Sequence, residues 1–407
     1  MTSSTVQRDA TAERRELAFL LLTVFLNLAG FGIVIPLLPF YAENFGIAAL
    51  QVTILFSAFS VGQLFGETVF GRLSDRIGRR PVLIGTILAG ALGYALLAYV
   101  PNYPLAFLLR LLGGFAAGNI STVQAYIADI SPPDLRVRRL GLVGSMFGLG
   151  FVVGPAIGGL LTDPALGPAG YRLPLLIAAG LGLLAAAGVA LFVRESRHTA
   201  HATVALGRRF SLVHDAWASP VIRNVLLATM VGTGAFSAME AVFALWAHAR
   251  FAWGPREVGL IFAFIGTLSA LSQAFLVGFL VRRLGEANTL ALGLLIAAAS
   301  LVMQAVAPTG ALVVAVTTFT VIGISVTNPA IAGLISRATA SHHQGAMLGL
   351  NGSASALARI LGPIIAGFLF SGVGVNAPFY FAAAMLLPAV LLALRAGGAV
   401  RRLAQLA

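Results

Sequence analysis

The 407-residue sequence predicts an all-α membrane protein: twelve transmembrane helices in two pseudo-symmetric six-helix bundles, with both termini cytoplasmic. Three observations carry this prediction. Hydrophobic residues form 58% of the chain and charged residues only 10%, against about 25% charged in soluble domains. Apolar runs near the length of a bilayer-spanning helix recur from end to end. All 26 basic residues are arginine, and they gather in alternate connections, as expected when cytoplasmic positive charge sets orientation.

The apolar runs place helices at 17–40, 50–71, 81–100, 104–128, 138–162, 172–193, 221–247, 256–281, 287–307, 310–336, 345–371 and 377–395. The first run, from Leu17, exceeds a signal-peptide core and lacks a small-residue cleavage pattern, so it reads as a retained helix. With both termini inside, cytoplasmic segments hold 21 arginines, from Arg8 to Arg402. External loops hold three (Arg172, Arg250, Arg256), and two, Arg110 and Arg359, fall within helices. The net charge of +12 is thereby spent on orientation, and no nucleic-acid partner is expected. Lysine and cysteine are absent, which excludes disulfides and thiol chemistry.

The longest connection, 194–220, is polar and basic and divides the helices six and six. The expected organisation is an N-terminal bundle (1–193), a cytoplasmic linker (194–220) and a C-terminal bundle (221–407). A shift of 208 residues lays Gly141, Gly144, Ser145, Gly154, Pro155 and Gly159 on Gly349, Gly352, Ser353, Gly362, Pro363 and Gly367. A shift of 207 lays Gly71, Arg76 and Gly78 on Gly278, Arg283 and Gly285. Two matches at nearly one offset indicate a duplicated six-helix unit, as in transporters built from repeats.

Between the second and third helices, "FGRLSDRIGRRPVL" (70–83) sets Arg72, Arg76, Arg79 and Arg80 around one acid, Asp75. Orientation alone calls for the arginines but not for Asp75, Gly71 or Gly78. Glycines permit a tight turn, and an acid there can accept from amides at a nearby helix N-terminus. The stretch resembles the signature G-x-x-x-D-R-x-G-R-R/K of the major facilitator superfamily, matched by Gly71, Asp75, Arg76, Gly78, Arg79 and Arg80. The resemblance implies a gate between the two halves that breaks and re-forms during alternating access. Asp129, at the inner end of the fourth helix, is a candidate partner for one of the arginines. The second copy, Gly278 to Gly285, carries Arg282 and Arg283 but no acid, so the full gate is expected in the first half alone.

The fifth helix, "GLVGSMFGLGFVVGPAIGG" (141–159), holds more glycines than propensity tolerates. In a membrane, small residues let helices pack backbone to backbone. The pattern also resembles the fifth-helix signature of proton-coupled drug antiporters, matched by Gly150, Gly154, Pro155, Gly158 and Gly159. That resemblance implies export. "GFGIVIPLLPFY" (30–41) is likewise similar to the first-helix end of tetracycline- and multidrug-type exporters, with Pro36 and Pro39 expected to bend it.

Arg110 lies about six residues, or ~9 Å, into the fourth helix. A charge near the bilayer centre costs about 2.5–3.5 kcal/mol on insertion scales and less nearer the edge. It could snorkel outward, or head a helical face with Gly114, Ala117, Ser121 and Gln124. Arg110 and Gly114 match the superfamily's R-x-x-q-G, with Gly113 in place of the usual Gln. That resemblance implies a part in proton transfer or in tuning an acid. Only Glu67 and Glu240 lie well within helices. Glu240, with Phe236 and Phe243 on its face, is the first candidate for the coupling proton, since carboxyls in poorly hydrated cavities can exchange protons near neutral pH. A fixed pair with Arg359 is the alternative. Glu67, four residues before Gly71, could couple, serve the gate or snorkel inward. Arg359 shares a face with Asn351 and Ser355; Asn27, Phe31 and Asn328 complete the expected cavity lining.

The sequence has no GxxxxGK[ST] loop, no metal-ligand spacing and no catalytic constellation, so it reads as neither an ATP-driven pump nor an enzyme. A proton-coupled secondary transporter exporting lipophilic cationic or zwitterionic drugs is expected, acting as a monomer. The proton gradient would supply energy without a cofactor or metal. Its partners would be membrane lipid, an amphipathic small molecule and protons. Export of a sugar, amino acid or lipid-linked glycolipid, or a non-transporting receptor or scaffold, are the alternatives.

Overall fold

The structure, a computed structural model, describes residues 10–43, 45–196, 214, 216–339 and 343–406. Twelve helices are long and apolar enough to span a bilayer. In chain order they are α1 (Arg15–Glu43), α2 (Ala49–Ile77), α3 (Arg79–Leu97), α4 (Tyr103–Ile130), α5 (Arg138–Leu161), α6 (Pro164–Phe192), α7 (Pro220–Phe251), α8 (Pro255–Leu284), α9 (Glu286–Val306), α10 (Gly310–Ala338), α11 (Gln344–Gly372) and α12 (Ala377–Arg402). No strand occurs among the described residues. Most of the 194–220 connection, and Arg8, lie outside them.

Several boundaries follow from local chemistry. Asn102 begins α4 by accepting from Leu105 N, and Thr309 begins α10 by accepting from Leu312 N, both ordinary N-caps. α1 runs unbroken through Pro36 and Pro39. By contrast, α4 breaks at Gly118–Asn119 and α10 at Val326, the corresponding place one repeat later. α8 contains a π-turn at Ser272–Leu276. Such turns free backbone groups inside a membrane and are tolerated where they border a cavity or packed protein.

The helix contacts repeat. α1 packs on α5 and α6, α2 on α4, and α3 on α4 and α6. Six helices later, α7 packs on α11 and α12, α8 on α10, and α9 on α10 and α12. The halves meet through α5 against α8 and α2 against α11, themselves a repeat-related pair. The two pseudo-symmetric six-helix bundles are therefore present, as the shifts of 207 and 208 residues predict.

An even number of crossings puts both chain ends on one face, here the terminal face. On the opposite face the halves are sealed. A Cβ on Gly159 of α5 would stand 2.5 Å from Pro255 O, and one on Gly259 of α8 would stand 2.5 Å from Pro155 O. Only glycine permits that backbone contact. In the matching seam, Leu50 N donates to Ser371 Oγ at 3.2 Å and Ser57 Oγ to Ile360 O at 2.8 Å. Toward the terminal face, nothing lies within 4 Å of a Cβ placed on Gly141 or Gly144 of α5, or on Gly345, Gly349 or Gly352 of α11. The halves are closed at one end and apart at the other.

Candidate functional site

Between the halves lies a cavity of about 380 Å³, within the range of small-molecule sites. The first half contributes Asn27 and Phe31 of α1, Phe59 and Gln63 of α2, Tyr94 of α3, Arg110 and Asn119 of α4, and Phe151 of α5. The second contributes Phe236 and Glu240 of α7, Ser269 and Gln273 of α8, Ser325 and Asn328 of α10, and Arg359 of α11. The helix breaks place several of these. Asn119 sits in the α4 break and donates to Thr86 Oγ1 at 2.9 Å. Ser325, just before the α10 break, donates to Ser269 Oγ at 2.9 Å, and Gln273 lies in the π-turn.

The charged lining consists of Arg110, Glu240 and Arg359. Arg359 of α11 is the guanidinium whose charge acts on Glu240 of α7 and also on Glu67 of α2. Glu67 is not part of the lining but shares a side-chain hydrogen bond with Gln63, which is. One cation thus acts on two carboxyls that belong to opposite halves. Arg110 has different company. It is 4% exposed, its Cζ lies 4.5 Å from the centroid of Phe59, its Nε donates to Leu55 O at 3.4 Å, and Tyr94 is its ionisable neighbour.

Four expected lining residues lie elsewhere. Gln124 is exposed and off the cavity, because the α4 break ends the face projected from Arg110. Phe243 is 0% exposed, packed against Trp246, Trp253 and Phe262. Asn351 Oδ1 accepts from Thr229 Oγ1 at 2.7 Å, bridging α11 to α7. Ser355, one turn before Arg359, is half-buried outside the lining. Asn27, Phe31, Phe236, Asn328 and Arg359 do face the cavity. Phe59, Gln63, Tyr94, Asn119 and Gln273 were not singled out from sequence. The visible signals were polar residues inside apolar runs and the Gly118–Asn119 breaker.

On the terminal face, Arg79 Nη1 pairs with Asp75 Oδ1 at 2.7 Å and Arg79 Nε with Asp129 Oδ2 at 3.2 Å. Arg79 Nη1 also donates to Ser74 Oγ at 2.7 Å. The amides opening α3 are not taken by Asp75 but by Glu195, whose Oε1 accepts from Arg79 N at 2.8 Å and whose Oε2 accepts from Arg80 N at 3.1 Å. Arg80 Nη2 donates to Ala190 O. Gly71 has only Ser121 Oγ near its missing side chain, and Arg76 is exposed. Gly78 turns the chain at φ +107°, as Gly285 does at +77° in the second half. The second half supplies its own pair: Glu286, directly after Gly285, meets Arg337 Nη2 at 2.8 Å. Under the repeat shifts Glu286 corresponds to Arg79 and Arg337 to Asp129, so the polarity is reversed. The expected lack of an acid holds only for Gly278 to Gly285.

The α5 glycines work in two directions. A Cβ on Gly154 would lie 2.5 Å from Ala29 O and one on Gly158 2.5 Å from Ile33 O, while Gly150 meets Leu28 and Gly32 meets Pro155. These fix α5 to α1 inside the first half, whereas Gly159 faces α8 across the seam.

Twelve spans in two repeat-related halves, closed at one end around a central cavity, define a multi-pass membrane transporter. A family model described as "Major Facilitator Superfamily" matches residues 20–316 and 241–402. The chain belongs to the major facilitator superfamily, and its place is the cytoplasmic membrane. It is 30% identical over 367 residues to the tetracycline resistance protein, class E, of Escherichia coli, covering 88% of each chain. It is 27% identical over 382 residues to multidrug resistance protein 2 of Bacillus subtilis (strain 168), covering 93% of this chain and 94% of the other. A solved bacterial homolog of the human lysosomal transporter Spinster shares the fold, with a TM-score of 0.75, 14% identity, and coverage of 96% and 97%.

Proposed function

We propose that this protein is a proton-coupled exporter of lipophilic, cationic or zwitterionic drugs, working by alternating access. The observation that carries the proposal is that Glu240 and Arg359 both line the cavity between the halves, with Arg359 also acting on Glu67 of the first half. The tetracycline and multidrug resistance relatives support the cargo class and the outward direction. With the arginine-rich terminal face inside the cell, the described form is open to the cytoplasm, ready to load cargo. Glu240 is the principal proton carrier. Its carboxylate attracts Arg359 and a substrate cation; once protonated it releases both, so proton and cargo compete. The loss of that attraction alters the balance between α7 and α11 and lets the halves rock about the cavity.

The test is efflux of several structurally unrelated dyes from proteoliposomes under an imposed pH gradient, comparing wild type with Glu240→Gln. Wild type should show gradient-driven, mutually competing efflux, and the variant, fixed in the uncharged form, should bind cationic dye more weakly at every pH and ignore the gradient. Unchanged gradient dependence in Glu240→Gln would remove Glu240 from coupling.

A further inference from the structure

The second copy of the charged stretch, Gly278 to Gly285, lines no part of the cavity and supplies no acid to a gate. Under the 207-residue shift Phe279 replaces Arg72 and Arg282 replaces Asp75, while Arg283 keeps the place of Arg76. The acid that pairs with Arg79 in the first half is a second cation here. Orientation of the chain calls for arginine at this level, but not for an arginine in place of the acid or a phenylalanine in place of an arginine. Arg282 and Arg283 are exposed, and neither has an ion pair or a hydrogen bond among the described residues. The acid nearest in sequence, Glu286, is held by Arg337 at 2.8 Å.

Helix geometry aims both guanidiniums back at the bilayer. Side chains lean toward the start of their own helix, and α8 runs from the sealed face to the terminal face. Arg283 Cζ accordingly lies 5.5 Å from the centroid of Phe279, one turn back. A Cβ on Gly278, one turn back from Arg282, would stand 3.7 Å from Arg282 Nη1, so the missing side chain leaves a notch beneath that guanidinium. Phe279 ends a row at four-residue spacing: Leu271, Phe275 and Phe279 are 51%, 75% and 49% exposed. Leu271 and Phe275 stand two positions after Ser269 and Gln273, which line the cavity. Residues two apart on a helix face different ways, so the row looks out on lipid. Two unpaired guanidinium forks suit phosphate oxygens, at the level where anionic headgroups attract juxtamembrane cations. We propose that the terminal end of α8 binds one anionic phospholipid, its phosphate on Arg282 and Arg283 and an acyl chain along Phe279, Phe275 and Leu271. The site is independent of what the cavity carries.

Native mass spectrometry of the detergent-purified full chain tests this, with dioleoyl phosphatidylglycerol and dioleoyl phosphatidylcholine as probes. Wild type should bind the first phosphatidylglycerol about tenfold more tightly than phosphatidylcholine; equal affinities would overturn the site. Arg282→Gln with Arg283→Gln should cut the preference to less than about twofold. Arg401→Gln with Arg402→Gln removes the same charge from exposed positions elsewhere on the terminal face and should leave the preference within about twofold of wild type. Equal losses in the two double variants would mean a diffuse response to surface charge and overturn the site. Excess inorganic phosphate should not displace the lipid; displacement would show a bare anion site and overturn the lipid assignment. Should the Arg282 and Arg283 variant fail to fold, phosphatidylglycerol with a photoreactive diazirine on its acyl chain decides in wild type. Labelling within 271–284 supports the site, and labelling confined to other segments overturns it.

Discussion

Gly78 shows how much one residue can decide. At φ +107° it occupies backbone space that other residues avoid, and an added Cβ would run into the Glu195 carboxylate. Gly78→Ala should therefore cost about 1–3 kcal/mol, seen as a lower melting temperature of the detergent-solubilised protein. Asp75 is different: it is partly exposed and bonded to Arg79, so Asp75→Asn should slow turnover more than it weakens dye binding. A selective loss of affinity would argue against a gate. The reversed pair in the second half invites a charge swap. Glu286→Arg should depress transport, and adding Arg337→Glu should restore it, because only the sign order changes. The sequence exposed the motif and proposed Asp129 as partner, and Arg79 meets it at 3.2 Å. It hid Glu195, because no local pattern links a carboxylate after α6 to the amides opening α3; that link exists only once the helices are packed.

Helices were legible where hydropathy ran uninterrupted and less so where it was broken. All twelve spans appear near the expected positions, and the tight packing implied by the α5 glycines is present. The interruptions in α4 and α10 were missed, and with them the loss of Gln124 from the face of Arg110. Periodicity assumes a continuous helix; a Gly-Asn step breaks the phase. Phe243 was misplaced for another reason, since a helix such as α7, buried for most of its circumference, has no apolar stripe to show which aromatic meets the cavity. The α5–α8 seam yields a further prediction. Gly159→Leu would force a side chain where even its Cβ would stand 2.5 Å from Pro255 O, keeping the sealed face from closing. Cysteines placed in the cavity of this cysteine-free chain should then react with membrane-impermeant maleimide from the face opposite the termini. The same cysteines without Gly159→Leu should react from the terminal face.

The whole molecule is a pair of related bundles hinged around a cavity whose charges belong to both. Its sealed seams, α5 with α8 and α2 with α11, are equivalent under the repeat, so motion at one is mirrored at the other. Glu67 and Glu240 lie on different halves and both feel the charge of Arg359, so under the proposed mechanism a change of charge at the centre should alter the separation at the ends. The most direct measurement places spin labels by pairs at Leu142 and Arg282 on the terminal face, and at Leu161 and Arg256 on the other. Distances are read between pH 5 and pH 8 in wild type and in Glu240→Gln. The account predicts opposite changes in the two wild-type pairs, and a variant held near the low-pH distances at both pH values. Distances that stay fixed, move in the same sense, or titrate unchanged without the Glu240 carboxylate would contradict it.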